Sequence, residues 1–310
     1  MRREISVPRP DDFDDYWDGL LAEVAELPLE PTLTYSELRS SELAAVYELQ
    51  YTSLDGIRIF GWYAHPRAEV IAPPYPALAL MPGYISEPTM PVTWAERGYA
   101  ALGVAPRGKL RSHRNFNPGY PGLLVHNIVD RNTYAYRGFY IDAVRAIDFI
   151  SGRPEVDPTR VGVHGSSQGG ALTVVAAALR PGIITCGAAG APYLCGILAS
   201  AGLTHSYPYE EINEYLRAHP DHRGAMEHTL AYYDCINLAP RVTAPMFVYL
   251  GLQDDVCPPE TGLAVYEALA GPKELRTYDG CGHDAGDYWA APLVTDFLAS
   301  HLIPRVGVAA

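Results

Sequence analysis

Basic residues, cysteine and long apolar runs are all scarce in this 310-residue sequence, and each shortage excludes something. Lys and Arg number 23 against 36 Asp and Glu, a net charge of −13. Nucleic acids and anionic membranes need a basic face that displaces their counterions, so neither is an expected partner. No uninterrupted apolar run approaches the roughly 18 residues of a membrane span. The opening Met1-Arg2-Arg3-Glu4 leads into Pro8 and a series of aspartates rather than the apolar core of a signal peptide, and the expected compartment is the cytoplasm. The five cysteines (Cys186, Cys195, Cys235, Cys257, Cys281) are odd in number and form no CxxC pair, which reads as reduced thiols. Phenylalanine is short as well, with 7 Phe against 22 Tyr. What is present is length. A chain of this size buries about three quarters of its unfolded surface, enough for one large domain or two. With 48% hydrophobic and 19% charged residues, it fits a soluble enzyme acting on a small molecule.

Asp11 to Leu27 carries Phe13, Trp17, Leu20, Leu21, Val24 and Leu27 at spacings of three and four, which predicts an amphipathic helix within a helical N-terminal arm of about residues 1–40. Between Leu43 and Tyr63, two alternating runs flank Ser53-Leu54-Asp55-Gly56 and predict an antiparallel hairpin. Short apolar runs at Ala77–Met81, Tyr99–Val104, Arg160–His164, Ile183–Ala189, Met246–Leu250 and Glu274–Tyr278 read as buried strands. Helix-length segments, clearest at Thr133–Ile150 and Gln168–Leu179, separate most of them. This alternation predicts an α/β fold, a mostly parallel sheet covered on both faces, with the hairpin as its antiparallel edge. Two stretches break the pattern. Residues 109–129 are rich in Pro, Gly, Asn and Arg and form a loop excursion, and residues 192–238 are helical in pattern without a strand. The second reads as a helical insertion roofing the sheet. No linker or repeat divides the chain, so a single domain is expected.

Gly165-Ser166-Ser167-Gln168-Gly169 follows one expected strand and opens an expected helix, the context of a nucleophile elbow. Ser167 needs a base, and the base needs a carboxylate that fixes its tautomer. In that chain order, Asp254 follows the strand 246–250 and His283 follows the strand 274–278. Asp255 competes directly for the role of the acid, and Asp279 and Asp284 compete more remotely. A tetrahedral intermediate needs two N–H donors; Gln168 supplies one, and Tyr84, in Pro82-Gly83-Tyr84 after the strand 77–81, is the candidate for the other. His219, His222 and His228 lack accompanying zinc-type spacings and read as a solvated helical face. Cys257 and Cys281 read as small buried apolar residues. Tyr84, Tyr120, Tyr134, Tyr136, Tyr193, Tyr207 and Tyr209 fall on segments expected near the pocket, where they could stack on sugar rings or simply replace Phe in a large fold.

In many blocks taken in order, the sequence resembles the acetyl xylan esterases and cephalosporin C deacetylases, carbohydrate esterases of the α/β-hydrolase superfamily. The blocks include Pro10-Asp11-Asp12-Phe13 with Trp17, Arg107-Gly108, Tyr120-Pro121-Gly122, Asp142 to Ala146, Gly165 to Gly170, Asn237 to Pro240 and Gly251 to Pro259. The resemblance implies a Ser167–His283–Asp254 triad, backbone donors at Tyr84 and Gln168, and no metal or other cofactor. It also implies a small acetylated substrate, with Tyr84 and Tyr193 expected to contact it, and a homo-oligomer, a hexamer in the family. Three positions depart from the family pattern. Lys109 stands where a Gln follows Arg-Gly, Asp284 where a Glu follows the His, and Pro82 where a His precedes the Gly. The leading expectation is a serine esterase with a small acyl pocket. The alternatives are an esterase or acyltransferase acting on a non-carbohydrate ester and, more remotely, a non-catalytic binding module.

Overall fold

The alternation of apolar runs with helix-length segments yields one nine-stranded sheet in the computed structural model, which describes residues 5–303. In chain order the elements are α1 (Phe13–Ala25), β1 (Thr32–Tyr35), β2 (Ala44–Thr52), β3 (Arg58–Pro66), β4 (Tyr75–Met81), α2 (Val92–Ala95), β5 (Ala100–Ala105) and α3 (Ala135–Ser151). There follow β6 (Val156–Ser166), α4 (Gln168–Leu179), β7 (Ile184–Gly190), α5 (Ile197–Leu203), α6 (Glu210–Ala218), α7 (Arg223–Tyr233) and α8 (Cys235–Leu238). The chain closes with β8 (Met246–Gly251), α9 (Pro259–Ala268), β9 (Lys273–Tyr278) and α10 (Asp287–Leu302). Strand order is β1-β2-β3-β5-β4-β6-β7-β8-β9. The first three strands run antiparallel to their neighbours and the rest pair in parallel.

The N-terminal arm corrects one expectation: it is not helical to residue 40, because Thr32–Tyr35 pairs with β2 as an extra edge strand. Only four residues long and mostly exposed, β1 leaves no apolar run to find. Residues 1–4 of the arm lie outside the described residues. The hairpin between β2 and β3 turns through Asp55 and Gly56, both with positive φ (63° and 69°), which Gly and Asp adopt more readily than other residues.

Each face of the sheet has its own cover. On one face α1, α3, α4, α8 and α9 share the largest core cluster, and α4 is apolar on all sides because every one of its residues is buried. On the other, α10 packs Val294, Phe297 and Leu298 over β4, β7 and β8, while Ala95 of α2 joins a smaller cluster with β2, β3 and β5. A buried ion pair fixes the end of β5 to α3: Arg107 Nε lies 2.9 Å from Asp142, which also accepts from Ser53 Oγ at 2.5 Å. Gly138 of α3 makes that possible, since a Cβ there would sit 2.0 Å from the guanidinium. Among the described residues no helix is long and apolar enough to cross a membrane.

Candidate active site

Strand β6 runs directly into α4, and Ser167 occupies the turn between them at φ 60°, ψ −123°. A non-glycine residue in that region is strained, and it persists because its surroundings hold it. The Ser167 N–H donates to Gly190 O at 2.9 Å, and Ser167 O accepts from Tyr193 N at 3.0 Å. Strand and helix approach so closely that a Cβ on Gly165 would lie 2.6 Å from the Gly169 backbone, and α4 lies so close to the end of β4 that one on Gly169 would lie 2.2 Å from Met81 O. Glycine at both positions is therefore a packing requirement that raises Ser167 above the sheet.

The loops after β8 and β9 are laced together. Leu252 N donates to Tyr278 O at 3.0 Å and Gln253 N to Cys281 O at 2.9 Å. This brings Asp254 and His283 side by side: His283 Nδ1 lies 2.9 Å from Asp254 Oδ2, and His283 Nε2 lies 2.9 Å from Ser167 Oγ. The Asp254 carboxylate is buried and accepts the N–H groups of Val256 and Cys257 at 2.9 and 2.8 Å, so its orientation is fixed before His283 binds it. Asp255 and Asp284 are exposed, and Asp279 accepts instead from Gln253 Nε2. Of the four candidate carboxylates, the geometry joins Asp254 to the histidine. Such a relay can draw the proton from the Ser167 hydroxyl.

Gln168 is the first residue of α4, where a backbone N–H has no intrahelical acceptor. Tyr84 follows β4 in the loop across from it, and both flank Ser167. Tyr84 is also the meeting point of three segments. Its hydroxyl donates to Glu211 of α6 at 2.5 Å, and the same carboxylate accepts the N–H groups of Gly122 and Leu124 at 2.9 and 3.2 Å. Burial pushes the Glu211 pKa up, while the Tyr84 hydroxyl and the two N–H groups pull it down. Lys109 completes the cluster from the excursion, its ammonium donating to the backbone carbonyls of Tyr84 and Ser86. Neither Glu211 nor the brace made by Lys109 was expected from the sequence. The departure of Lys109 from the Arg-Gly-Gln pattern was the one available signal.

A cavity of about 820 Å³ opens over Ser167 and His283. The excursion contributes Tyr120 and Pro121 to its wall and the insertion contributes Tyr207 and Pro208, as expected of a roof. Pro82 and His164 also line it; the His164 Nδ1 lies 3.0 Å from Ala188 O, and burial lowers its pKa. The expected substrate contact from Tyr193 is corrected. Its side chain is 1% exposed, packs edge-on against Tyr84 and Tyr209, and is absent from the cavity wall. Tyr134, Tyr136 and Tyr209 are likewise buried behind the wall, whereas Tyr84, Tyr120 and Tyr207 reach it. Cys257 is buried and Cys281 half-buried, and all five cysteines are free. Among the described residues no group of three His, Cys, Asp or Glu side chains is arranged to hold a metal.

Residues 3–301 match the acetyl xylan esterase (AXE1) family. The structure is similar to that of the acetyl xylan esterase from Paenibacillus sp. R4, with 33% identity and a TM-score of 0.87, covering 96% of each chain. It is also similar to acetyl xylan esterase 1 from Thermoanaerobacterium sp. JW/SL YS485, with 27% identity and a TM-score of 0.86, covering 97% of this chain and 96% of that one. An acetyl esterase of Xylanibacter ruminicola is 28% identical over 86% of this chain, which spans 61% of that protein's length. The expected α/β-hydrolase architecture is thus shared with these esterases. With a family match running nearly from end to end, the chain belongs to the acetyl xylan esterase family.

Proposed function

We propose that this protein is a serine esterase that removes acetyl and other small acyl groups from hydroxyls of carbohydrates or similarly small alcohols. The observation that carries the reading is the unbroken relay Asp254–His283–Ser167 at the wall of the cavity, with both hydrogen bonds of the histidine at 2.9 Å. Family membership supports the acetyl preference, and the apolar wall of Tyr120, Pro121, Pro208 and Val256 supports a small acyl group.

The reaction proceeds through an acyl-enzyme. Ser167 Oγ attacks the ester carbonyl carbon while His283 Nε2 takes its proton, and the carbonyl oxygen becomes an oxyanion held by the N–H groups of Tyr84 and Gln168. Asp254 keeps the imidazole in the right tautomer and stabilises the imidazolium. The carbon–oxygen bond to the alcohol breaks, the alcohol leaves with the proton from His283, and the acyl group stays on Ser167. Water then attacks that acyl carbon as His283 takes its proton, and collapse frees the carboxylic acid and restores Ser167.

Steady-state kinetics on acetylated xylose and on nitrophenyl esters of increasing chain length, with wild type and Ser167→Ala, test the proposal. Acetate esters are expected to turn over fastest, and the variant to lose a factor on the order of 10⁴ or more in kcat. A variant retaining near wild-type turnover contradicts the mechanism, and faster turnover of long acyl chains contradicts the substrate class.

A further inference from the structure

Lys109 is a buried cation aimed at backbone rather than at an acid. It is 4% exposed, and its ammonium donates to the carbonyl oxygens of Tyr84 and, at 3.2 Å, of Ser86. The Tyr120 ring lies against it, 5.0 Å from centroid to Nζ, a cation–π arrangement. Among the described residues no carboxylate pairs with it, and burial alone brings its pKa down to about 7. A positive charge without a counterion therefore sits against the loop that carries the Tyr84 N–H.

We propose that Lys109 is a positioning residue for oxyanion stabilisation: its two hydrogen bonds set the orientation of loop 82–86, and its charge favours the state in which an anion forms at the Tyr84 N–H. The proposal rests on the esterase reading above. Lys109 holds the Tyr84 carbonyl and Glu211 holds the Tyr84 hydroxyl, so the residue is anchored through both its backbone and its side chain and its N–H reorganises little when charge develops. In a low-dielectric setting an unneutralised charge is felt by a nearby oxyanion far more than it would be in water.

The charge gives this role a pH signature. Around Lys109 stand Tyr84 and Tyr120, whose phenols burial pushes up; Glu211, held by Tyr84 and the Gly122 and Leu124 N–H groups; and Arg107, paired with Asp142 and Asp55. The cavity wall adds Glu87, His164 and His283. Loss of the Lys109 proton makes activity fall. The wild-type kcat profile is therefore expected to decline on the alkaline side.

The test compares kcat and KM for an acetate ester across the neutral and alkaline range in full-length wild type, Lys109→Gln and Lys109→Met, with thermal melts to report folding. Lys109→Met is expected to lose roughly 10²-fold in kcat with little change in KM, the scale of one oxyanion-hole contact. Lys109→Gln keeps donors but no charge; it is expected to recover part of that loss and to lack the alkaline decline. If both variants match wild type in kcat and in profile, the inference is overturned. Should Lys109→Met not fold, an alkaline decline in Lys109→Gln identical to the wild type overturns it alone. Absence of Ser167-dependent turnover in the wild type would overturn the esterase reading as well, which separates the two failures.

Discussion

Two carboxylates stand side by side after β8, and the turn that follows decides which one faces His283. Asp254 is buried and anchored by the Val256 and Cys257 N–H groups, while Asp255 points to solvent. Asp254→Asn is expected to preserve the fold and lower kcat by about 10⁴, because the amide favours the wrong imidazole tautomer. Asp255→Asn should leave kcat near wild type, and greater damage from it would reverse the assignment. The sequence put Asp254 first, with Asp255 as its direct competitor and Asp279 and Asp284 as remoter ones; separating them needed the hydrogen bonds of the turn. Glu211 shows the opposite limit of legibility. A glutamate beside Glu210 in the first turn of a polar helix reads as solvated, and only the excursion and Tyr84 packed against α6 bury it. Glu211→Ala strands the Tyr84 hydroxyl proton and the Gly122 N–H, each at a cost of about 1–3 kcal/mol where water cannot reach, and leaves the Leu124 N–H only its 3.3 Å bond to the Tyr84 oxygen. Urea unfolding should show that loss, and an unchanged midpoint would mean that solvent enters the site.

Among the elements, β6 and α4 were the most legible, because Gly165 is dictated by how closely the two pass and Gly169 by how closely α4 approaches Met81 at the end of β4. Gly169→Ala would force its Cβ to within 2.2 Å of Met81 O, so it is expected to destabilise the protein well beyond the ~1 kcal/mol typical of point mutants, visible as a lowered Tm. A Tm equal to wild type would contradict the close packing. Strand β1 was missed because four mostly exposed residues are too short a run for their alternation to stand out, and it is a strand as the partner of β2. The contact between β5 and α3 was readable as residue types, Arg107 and Asp142, but their pairing was not, since the two lie far apart in the sequence. Arg107→Met leaves Asp142 buried without its cation, an expected loss of about 3–5 kcal/mol by denaturant titration.

Across the whole molecule, the charge of −13 and a cavity wall that holds Glu87 but neither Lys nor Arg favour neutral substrates. For an uncharged acetyl ester, kcat/KM should barely respond to salt; for an ester bearing a carboxylate it should start lower and rise as salt screens the repulsion. A carboxylate ester that is faster at low salt would contradict this. The tyrosine excess also resolves at this scale. Of the tyrosines that the sequence placed near the pocket, Tyr84, Tyr120 and Tyr207 reach the cavity, and Tyr134, Tyr136, Tyr193 and Tyr209 pack behind it, a division set by how the excursion and insertion fold over the sheet. The central claim is that acyl transfer passes through Ser167, and peptide-mapped mass spectrometry of protein quenched during turnover of an acetate ester tests it most directly. One acetyl group on the peptide containing Ser167, absent in Ser167→Ala, is the predicted result; turnover without that adduct, or with acetyl on another residue only, would contradict the account.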